Sequence, residues 1–235
     1  MKTKDLFGNA LLDYQNGNYT EDLITSTNIS GEDELPLPYL FRSYKDMPKL
    51  EQKALQMCKG SVLDVGCGSG SHSLYLQEKG FNVKAIDVSN GAVKVAKKRG
   101  VHHVELKNIL SETSTFDTIL LLMNGTGIFQ EVSQVSKYLK HIKSLLNPNG
   151  QILIDSSDIK YMYEDDDGGL WMNTNANYYG ELDYYLCYKG EDEVPMKWLY
   201  LDFGTLNSAC KMLGLNCDLL MEGEHFDYLA QIYGC

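Results

Sequence analysis

The sequence predicts an α/β protein: a doubly wound, seven-stranded, mostly parallel sheet with helices on both faces, closed by an antiparallel hairpin, with a β-rich insertion after the fifth strand. Three observations predict it. Between residues 61 and 155, strand-like apolar runs alternate with helical ones, the order that produces a parallel sheet with crossover helices. One run, "TILLLM" (Thr118–Met123), is nearly continuous in apolar residues, as a strand covered on both faces requires. Near the end, two apolar runs joined by "EGEH" have hairpin spacing.

Taken in order, residues 1–60 predict a helical N-terminal cap. Phe7, Ala10, Leu11 and Tyr14 share one helical face. The polar stretch Asn16–Glu34 predicts a loop. Pro48 can open a second helix carrying Leu50, Ala54 and Met57, with Gly60 as its stop. Ser61–Val65 then predicts a strand, Ser71–Lys79 a helix, Asn82–Ile86 a strand, Gly91–Lys98 a helix, and Val101–Leu106 and Asp117–Met123 two further strands. Val132, Val135, Tyr138, Leu139, Ile142, Leu145 and Leu146 repeat at helical spacing until "NPNG" ends the pattern, and Gln151–Asp155 is the fifth strand. Residues 156–201 predict an inserted lid or substrate element. It holds an acidic loop (Glu164–Asp167) and two aromatic-rich runs, Tyr178–Tyr188 and Met196–Leu201. A helix over Gly204–Leu213 and a hairpin of Leu215–Met221 with Phe226–Tyr233 complete the main domain, 61–155 with 202–235.

Bulk properties narrow the function. The 235 residues suffice for one large core. A net charge of −11 disfavours nucleic acid and anionic lipid surfaces as partners. Lys94, Lys97, Lys98 and Arg99 cluster as the solvated face of a helix. The first residues lack the apolar core of a signal peptide, and no apolar run approaches the ~20 residues that span a bilayer. The six cysteines show neither C-x-x-C nor metal-ligand spacing, so the expectation is reduced thiols in a cytoplasmic protein with no metal.

The chemistry concentrates in "VLDVGCGSGSH", Val62–His72. A strand runs into G-x-G-x-G, with Ser71 where the dinucleotide fingerprint would carry its third glycine. In an open α/β sheet the loop after the first strand borders the ligand crevice. Glycines there admit close approach of a ligand, and the following helix start offers N–H groups to an anion, whether pyrophosphate or an amino-acid carboxylate. Asp87 ends the second strand in "VKAIDVS", where an acid accepts hydrogen bonds from a ribose diol. The plain alternative is a tight structural turn with a solvated Asp87.

These residues resemble the class I S-adenosylmethionine-dependent methyltransferases, Rossmann-like enzymes. "VLDVGCGSG" is similar to their first motif, "FDTILLLMNGTGIF" to the fourth-strand motif, and "LLNPNGQILI" to the helix-turn-strand many members write as L-K-P-G-G. The resemblance covers about residues 61–155 and extends to the reversed last strand. It implies S-adenosyl-L-methionine as cofactor, S-adenosyl-L-homocysteine as product, and a role for individual positions. Gly66, Gly68 and Gly70, with Cys67 between them, would line the methionine part. Asp64 would orient its amino group, directly or through water. Asp87 would hold the ribose with Val88 beside the adenine. Asn108 stands where many members carry an acid on the adenine amine, and Ile109 would pack on the ring. Met123 and Asn124 would approach the methionine or the substrate. His72 would sit beside the cofactor, and Tyr39 or Arg42, in "LPYLFRSY", would bind its carboxylate; a core aromatic and a surface arginine are the alternative.

Methyl transfer from a sulfonium needs alignment more than chemistry from the protein, with a base where the nucleophile carries a proton. Asp155 and His72 are the catalytic candidates, with Asp158 and His225 behind them. The acceptor is expected to be a small molecule, its atom, O or N, left open. The N/D-P-P-Y/F/W pattern of amino methyltransferases and the Pro-Cys of cytosine methylation are both missing from the sequence. Cys67 is expected to pack rather than attack. The insertion's Tyr161, Tyr163, Trp171, Tyr178, Tyr179, Tyr184 and Tyr185, with Asp165–Asp167, would suit an amine-bearing acceptor, or simply pack on one another. Rival readings are an NAD-dependent oxidoreductase and a non-catalytic S-adenosylmethionine-binding module.

Overall fold

The computed structural model describes residues 4–164 and 178–234. Asp165–Asp167, Trp171 and Cys235 lie outside the described residues. The strands are β1 (Leu23–Thr27), β2 (Asp33–Leu35), β3 (Ser61–Val65), β4 (Asn82–Asp87), β5 (His103–Leu106), β6 (Phe116–Leu121), β7 (Leu146–Ser157), β8 (Glu181–Tyr188), β9 (Glu191–Asp192), β10 (Met196–Leu199), β11 (Leu215–Glu222) and β12 (Asp227–Gly234). The helices are α1 (Leu6–Asn16), α2 (Leu37–Leu40), α3 (Lys49–Met57), α4 (Ser71–Glu78), α5 (Asn90–Arg99), α6 (Val132–Ser144) and α7 (Phe203–Met212).

Seven strands form the main sheet in the order β11-β12-β7-β6-β3-β4-β5. β7, β6, β3, β4 and β5 run parallel, and β12 is antiparallel to both β7 and β11. The chain reverses its winding at β3, which places the loop after β3 over the switch point. Alternate residues of each central strand feed opposite faces. Leu63, Ile119, Ile152 and Ile154 pack on one side with Leu139 and Ile142 of α6. Val62, Leu120 and Leu153 pack on the other with Leu50, Ala54 and Leu55 of α3.

The N-terminal sixty residues are only partly helical. The stretch expected to be a loop contains β1 and β2, which belong to a second, antiparallel sheet of order β10-β8-β1-β2, with β9 on β8. Ile24 pairs with Cys187 and Thr25 with Leu186. β1 is short and three of its five residues are polar, its local partner β2 spans only three residues, and its longer partner β8 lies more than 150 residues away, so no local pattern marks it. α1, this sheet and α5 share an apolar cluster of Leu6, Leu11, Leu23, Leu37, Ala92, Val95 and Leu186. Two smaller expectations also change. The fifth strand begins five residues early, at Leu146, through an irregularity in its pairing with β6. Arg99 is not part of a solvated face. It turns inward and donates to Ser69 O (2.9 Å), Ser69 Oγ (2.7 Å), Ser71 Oγ (3.0 Å) and Phe41 O (3.3 Å), tying the segment after α2 to the glycine turn.

Candidate active site

The glycine turn leaves β3 with Gly66 at φ 73°, Gly68 at φ 52° and Gly70 at φ 86°. A Cβ on Gly66 would meet nothing within 4 Å, so open space adjoins this backbone, while one on Gly70 would strike Val101 Cγ2 at 2.7 Å. Both need glycine for their left-handed φ; beyond that, Gly66 borders space in which a ligand would fit, and Gly70 is packed against Val101 and Ala96. The turn is pinned to β4: Gly66 N–H and Cys67 N–H both donate to Ile86 O. Asp87 completes the pin, its two oxygens accepting N–H from Gly68 (2.9 Å) and Ser89 (2.8 Å). Burial pushes the Asp87 carboxyl up, partly offset by these N–H donors. Each oxygen retains a further lone pair for a hydroxyl. Val88, next to it, is 69% exposed and presents an apolar flank.

Cys67 is buried, and burial pushes its thiol far above the usual range, which removes it as a nucleophile. Asp64 lies beneath the turn, accepting a 2.6 Å bond from Ser73 Oγ. Burial raises its carboxyl too, with His72 and Ser73 opposing. Asn108 is exposed and its Oδ1 accepts Leu110 N–H, while Ile109 is buried in the main core. An adenine ring there would meet the loop edge at Asn108 rather than the Ile109 side chain.

His72 meets a residue that the sequence reading missed. Its Nε2 lies 2.7 Å from Glu51 Oε2, and the other Glu51 oxygen accepts from Arg42. All three side chains are buried. Burial raises Glu51, but the His72 bond and charge, together with Arg42, outweigh it and bring the carboxyl below its ordinary value. Burial lowers His72, but the Glu51 bond and the Asp64 and Glu51 charges win and raise it. The signal for Glu51 was present: it sits on the apolar face of α3 with Ala54 and Leu55, where an unpaired acid would be costly.

Arg42 also donates to Tyr39 O (2.6 Å) and lies 3.9 Å over the Tyr39 ring. Its Nε is buried without a hydrogen-bond partner among the described residues. A buried guanidinium N–H left unpaired beside an open turn suits the carboxylate of an amino-acid-like ligand, so the residues present fit the methionine end of S-adenosylmethionine.

Beyond the turn, a cavity of about 270 Å³ opens at the ends of β6 and β7, walled by Tyr39, Glu51, Met123, Asn124, Asp155 and Asp227, among others. Asp155 accepts Met123 N–H (2.9 Å) and Gly125 N–H (2.8 Å). It thereby holds Met123 and Asn124, both in left-handed conformations (φ 66° and 59°). Burial pushes the Asp155 carboxyl up to about 7 despite these two donors. Asn124 accepts from Ser156 Oγ (2.9 Å) and donates to Leu199 O (3.3 Å), which ties the cavity wall to the second sheet. Asp158 is committed elsewhere, accepting from Lys160 N and Tyr179 OH, and His225 is exposed in the last hairpin. The insertion aromatics pack partly on their own element, with Tyr163 donating to Tyr179 O and Tyr184 against Trp198, and partly on the main domain, with Tyr178 donating to Asp202 and Tyr161 stacked on Phe226. Among the described residues no cluster of His, Cys, Asp or Glu could hold a metal, and no helix is long and apolar enough to cross a membrane.

Residues 39–204 match the family described as "Methyltransferase domain". Over 99% of this chain and 96% of the other, the structure superimposes with TM-score 0.92 and 42% identity on a SAM-dependent methyltransferase from Bacteroides fragilis, crystallised with S-adenosyl-L-homocysteine. Curated relatives match a shorter stretch. The cypemycin N-terminal methyltransferase of a Streptomyces species is 34% identical over 103 residues, 42% of each chain. The ubiquinone biosynthesis O-methyltransferase of Rickettsia felis is 28% identical over 120 residues, 48% of this chain and 43% of its own. The match thus spans less than half the length of these curated relatives.

Proposed function

Since this chain belongs to the methyltransferase-domain family and is an S-adenosylmethionine-dependent methyltransferase, we propose that it methylates a small-molecule acceptor by in-line displacement in the cavity at the ends of β6 and β7. The NAD-dependent alternative is set aside. The observation that carries the proposal is the position of Asp155: a buried carboxylate in the cavity wall, poised near neutral pH and fixed by two backbone N–H groups.

The cofactor, when bound, supplies an electrophilic methyl group on a sulfonium. The chain does the rest. Asp87 and Val88 hold the nucleoside end, and Gly66, Cys67, Gly68 and Gly70 let it approach the backbone. Arg42, stacked on Tyr39, receives the carboxylate through its free Nε–H, and Asp64 orients the amino group from below. Asn108 borders the adenine. Met123 and Asn124 face the transfer region, and Asp155 accepts the proton that a hydroxyl or ammonium acceptor must lose. His72 acts through Glu51, keeping the carboxylate that orients Arg42 ionised, which makes it a positioning residue rather than a base. One relative above is an N-terminal methyltransferase and another an O-methyltransferase, so both acceptor atoms remain compatible with the family.

The test is a screen for S-adenosylhomocysteine formation over amines, phenols, carboxylates and small peptides. Turnover with one class, lowered roughly a hundredfold in Asp155→Asn, is the expected result. Cofactor binding without turnover on any class would favour the non-catalytic module instead.

A further inference from the structure

The cavity that Asp155 borders has an unusual balance of charge. Of its three carboxylates, Glu51 is already neutralised by Arg42 and His72. Asp155 and Asp227 form no ion pair among the described residues, and no lysine or arginine lines the cavity. Asp227 opens β12 opposite Ser157, at the end of β7. Its Oδ1 accepts only the His225 N–H, at 3.1 Å.

An exposed apolar pair adjoins Asp227 through its chain neighbour Phe226. Phe226 is 61% exposed and stacks on Tyr161 at 4.9 Å between ring centroids, with 19° between planes. Its backbone is fixed where it stands, because Asp158 N–H donates to Phe226 O (2.9 Å). Tyr39 and Met123, in the cavity wall, are also exposed. Large exposed apolar side chains grouped at a polar cavity are a feature of binding surfaces.

We propose that the acceptor is an amine carried on an apolar body, with Asp227 holding the ammonium group, Asp155 taking its proton, and Phe226 and Tyr161 receiving the body. This rests on the methyltransferase reading above and names its substrate class. A carboxylate acceptor would meet two unpaired carboxylates with no cation to balance them. An alcohol or phenol would gain a hydrogen bond but no charge pairing. An ammonium gains both, and an adjoining aromatic face adds cation–π attraction. The step balances: the ammonium gives one proton to Asp155, and the freed nitrogen lone pair forms the N–C bond. The C–S bond breaks with its electron pair on sulfur, leaving a neutral thioether and an N-methylammonium product.

The test uses the full chain saturated with S-adenosylhomocysteine and two matched series of probes: phenethylamine, 2-phenylethanol and 3-phenylpropanoate, then hexylamine, 1-hexanol and heptanoate. Binding is read from the amide shifts of Gly125 and Asp227. The amines should bind at least about tenfold tighter than their counterparts. Asp227→Asn should remove that preference while S-adenosylhomocysteine affinity stays within about twofold. Phe226→Gly, which suits the φ of 58°, should weaken phenethylamine more than hexylamine. Equal or tighter binding of the alcohols or acids overturns the proposal. So does an unchanged preference in Asp227→Asn, or no amine binding up to about 10 mM. Because cofactor affinity is measured in the same samples, failure of the amine assignment is distinguishable from failure of the methyltransferase reading.

Discussion

Residues 61–108 make most of the proposed cofactor side from consecutive chain: strand, glycine turn, helix, strand and acid, each within reach of the next. The acceptor side is assembled instead from Tyr39, Glu51, Asp155 and Asp227, brought together by three separate parts of the chain. One wall residue, Asn124, is tied through Leu199 O to a second sheet whose β1 and β8 are equally remote in sequence. A site made of neighbours leaves its signature in spacing. A site made of distant strands leaves it only in the fold. Contacts between remote segments also hold the turn and α1 in place. Arg99 ties the turn to Phe41, and Glu193, before β10, accepts N–H from Lys4 (2.9 Å) and Leu6 (3.0 Å) at the start of α1. From α1, the Phe7 ring reaches the neighbourhood of Gly68.

Breaking the local side should cost most. Asp87→Ala removes the acceptor for a ribose diol and for Gly68 N–H together. Two hydrogen bonds to a charged group correspond to a loss of about a hundredfold or more in S-adenosylhomocysteine affinity by calorimetry. A loss below about threefold would mean that Asp87 serves the turn alone. Breaking the junction between the sides comes next. Arg42→Ala leaves Glu51 buried with His72 as its remaining partner and should lower unfolding free energy by about 3 kcal/mol in a denaturant titration. Stability unchanged from wild type would show the Arg42–Glu51 pair to be dispensable.

The acceptor side can be sharpened by pH. The folded protein holds the Asp155 proton up to about 7, whereas an unfolded aspartate releases it near 4. Between those values the native state binds more protons, so Asp155 makes stability fall as pH rises from about 4 to 7 and adds no further slope above. Asp155→Asn should lack that component, seen as a flatter dependence of the thermal midpoint on pH; parallel curves would contradict it. The smallest effect is expected at the clasp. Glu193→Ala should free two N–H groups at the start of α1, costing about 1–2 kcal/mol and quickening amide exchange in α1, with Glu193→Gln recovering part of the loss.

Legibility followed the same division. The strands and helices from Ser61 to Asp155 could be read because buried parallel strands and amphipathic helices each carry their own periodicity. Asp87 and the three glycines could be read because a left-handed turn pinned by a strand-end acid constrains residue type at fixed spacing. β1 could not: "LITST" is too short and too polar to stand out, and it becomes a strand because β8 lies beside it. Glu51 was visible only as an acid on an apolar helical face, a signal whose meaning depends on Arg42 and His72 arriving from elsewhere. Asp227 had no signal at all, since its place in the cavity comes from the antiparallel return of β12.

The most direct test of how the two sides join is a crystal structure with S-adenosylhomocysteine. The expected result has the ribose on Asp87, the carboxylate at Arg42 Nε, and the sulfur facing the cavity between Tyr39 and Asp155. A ligand bound with its carboxylate away from Arg42, or with its sulfur turned from that cavity, would contradict it.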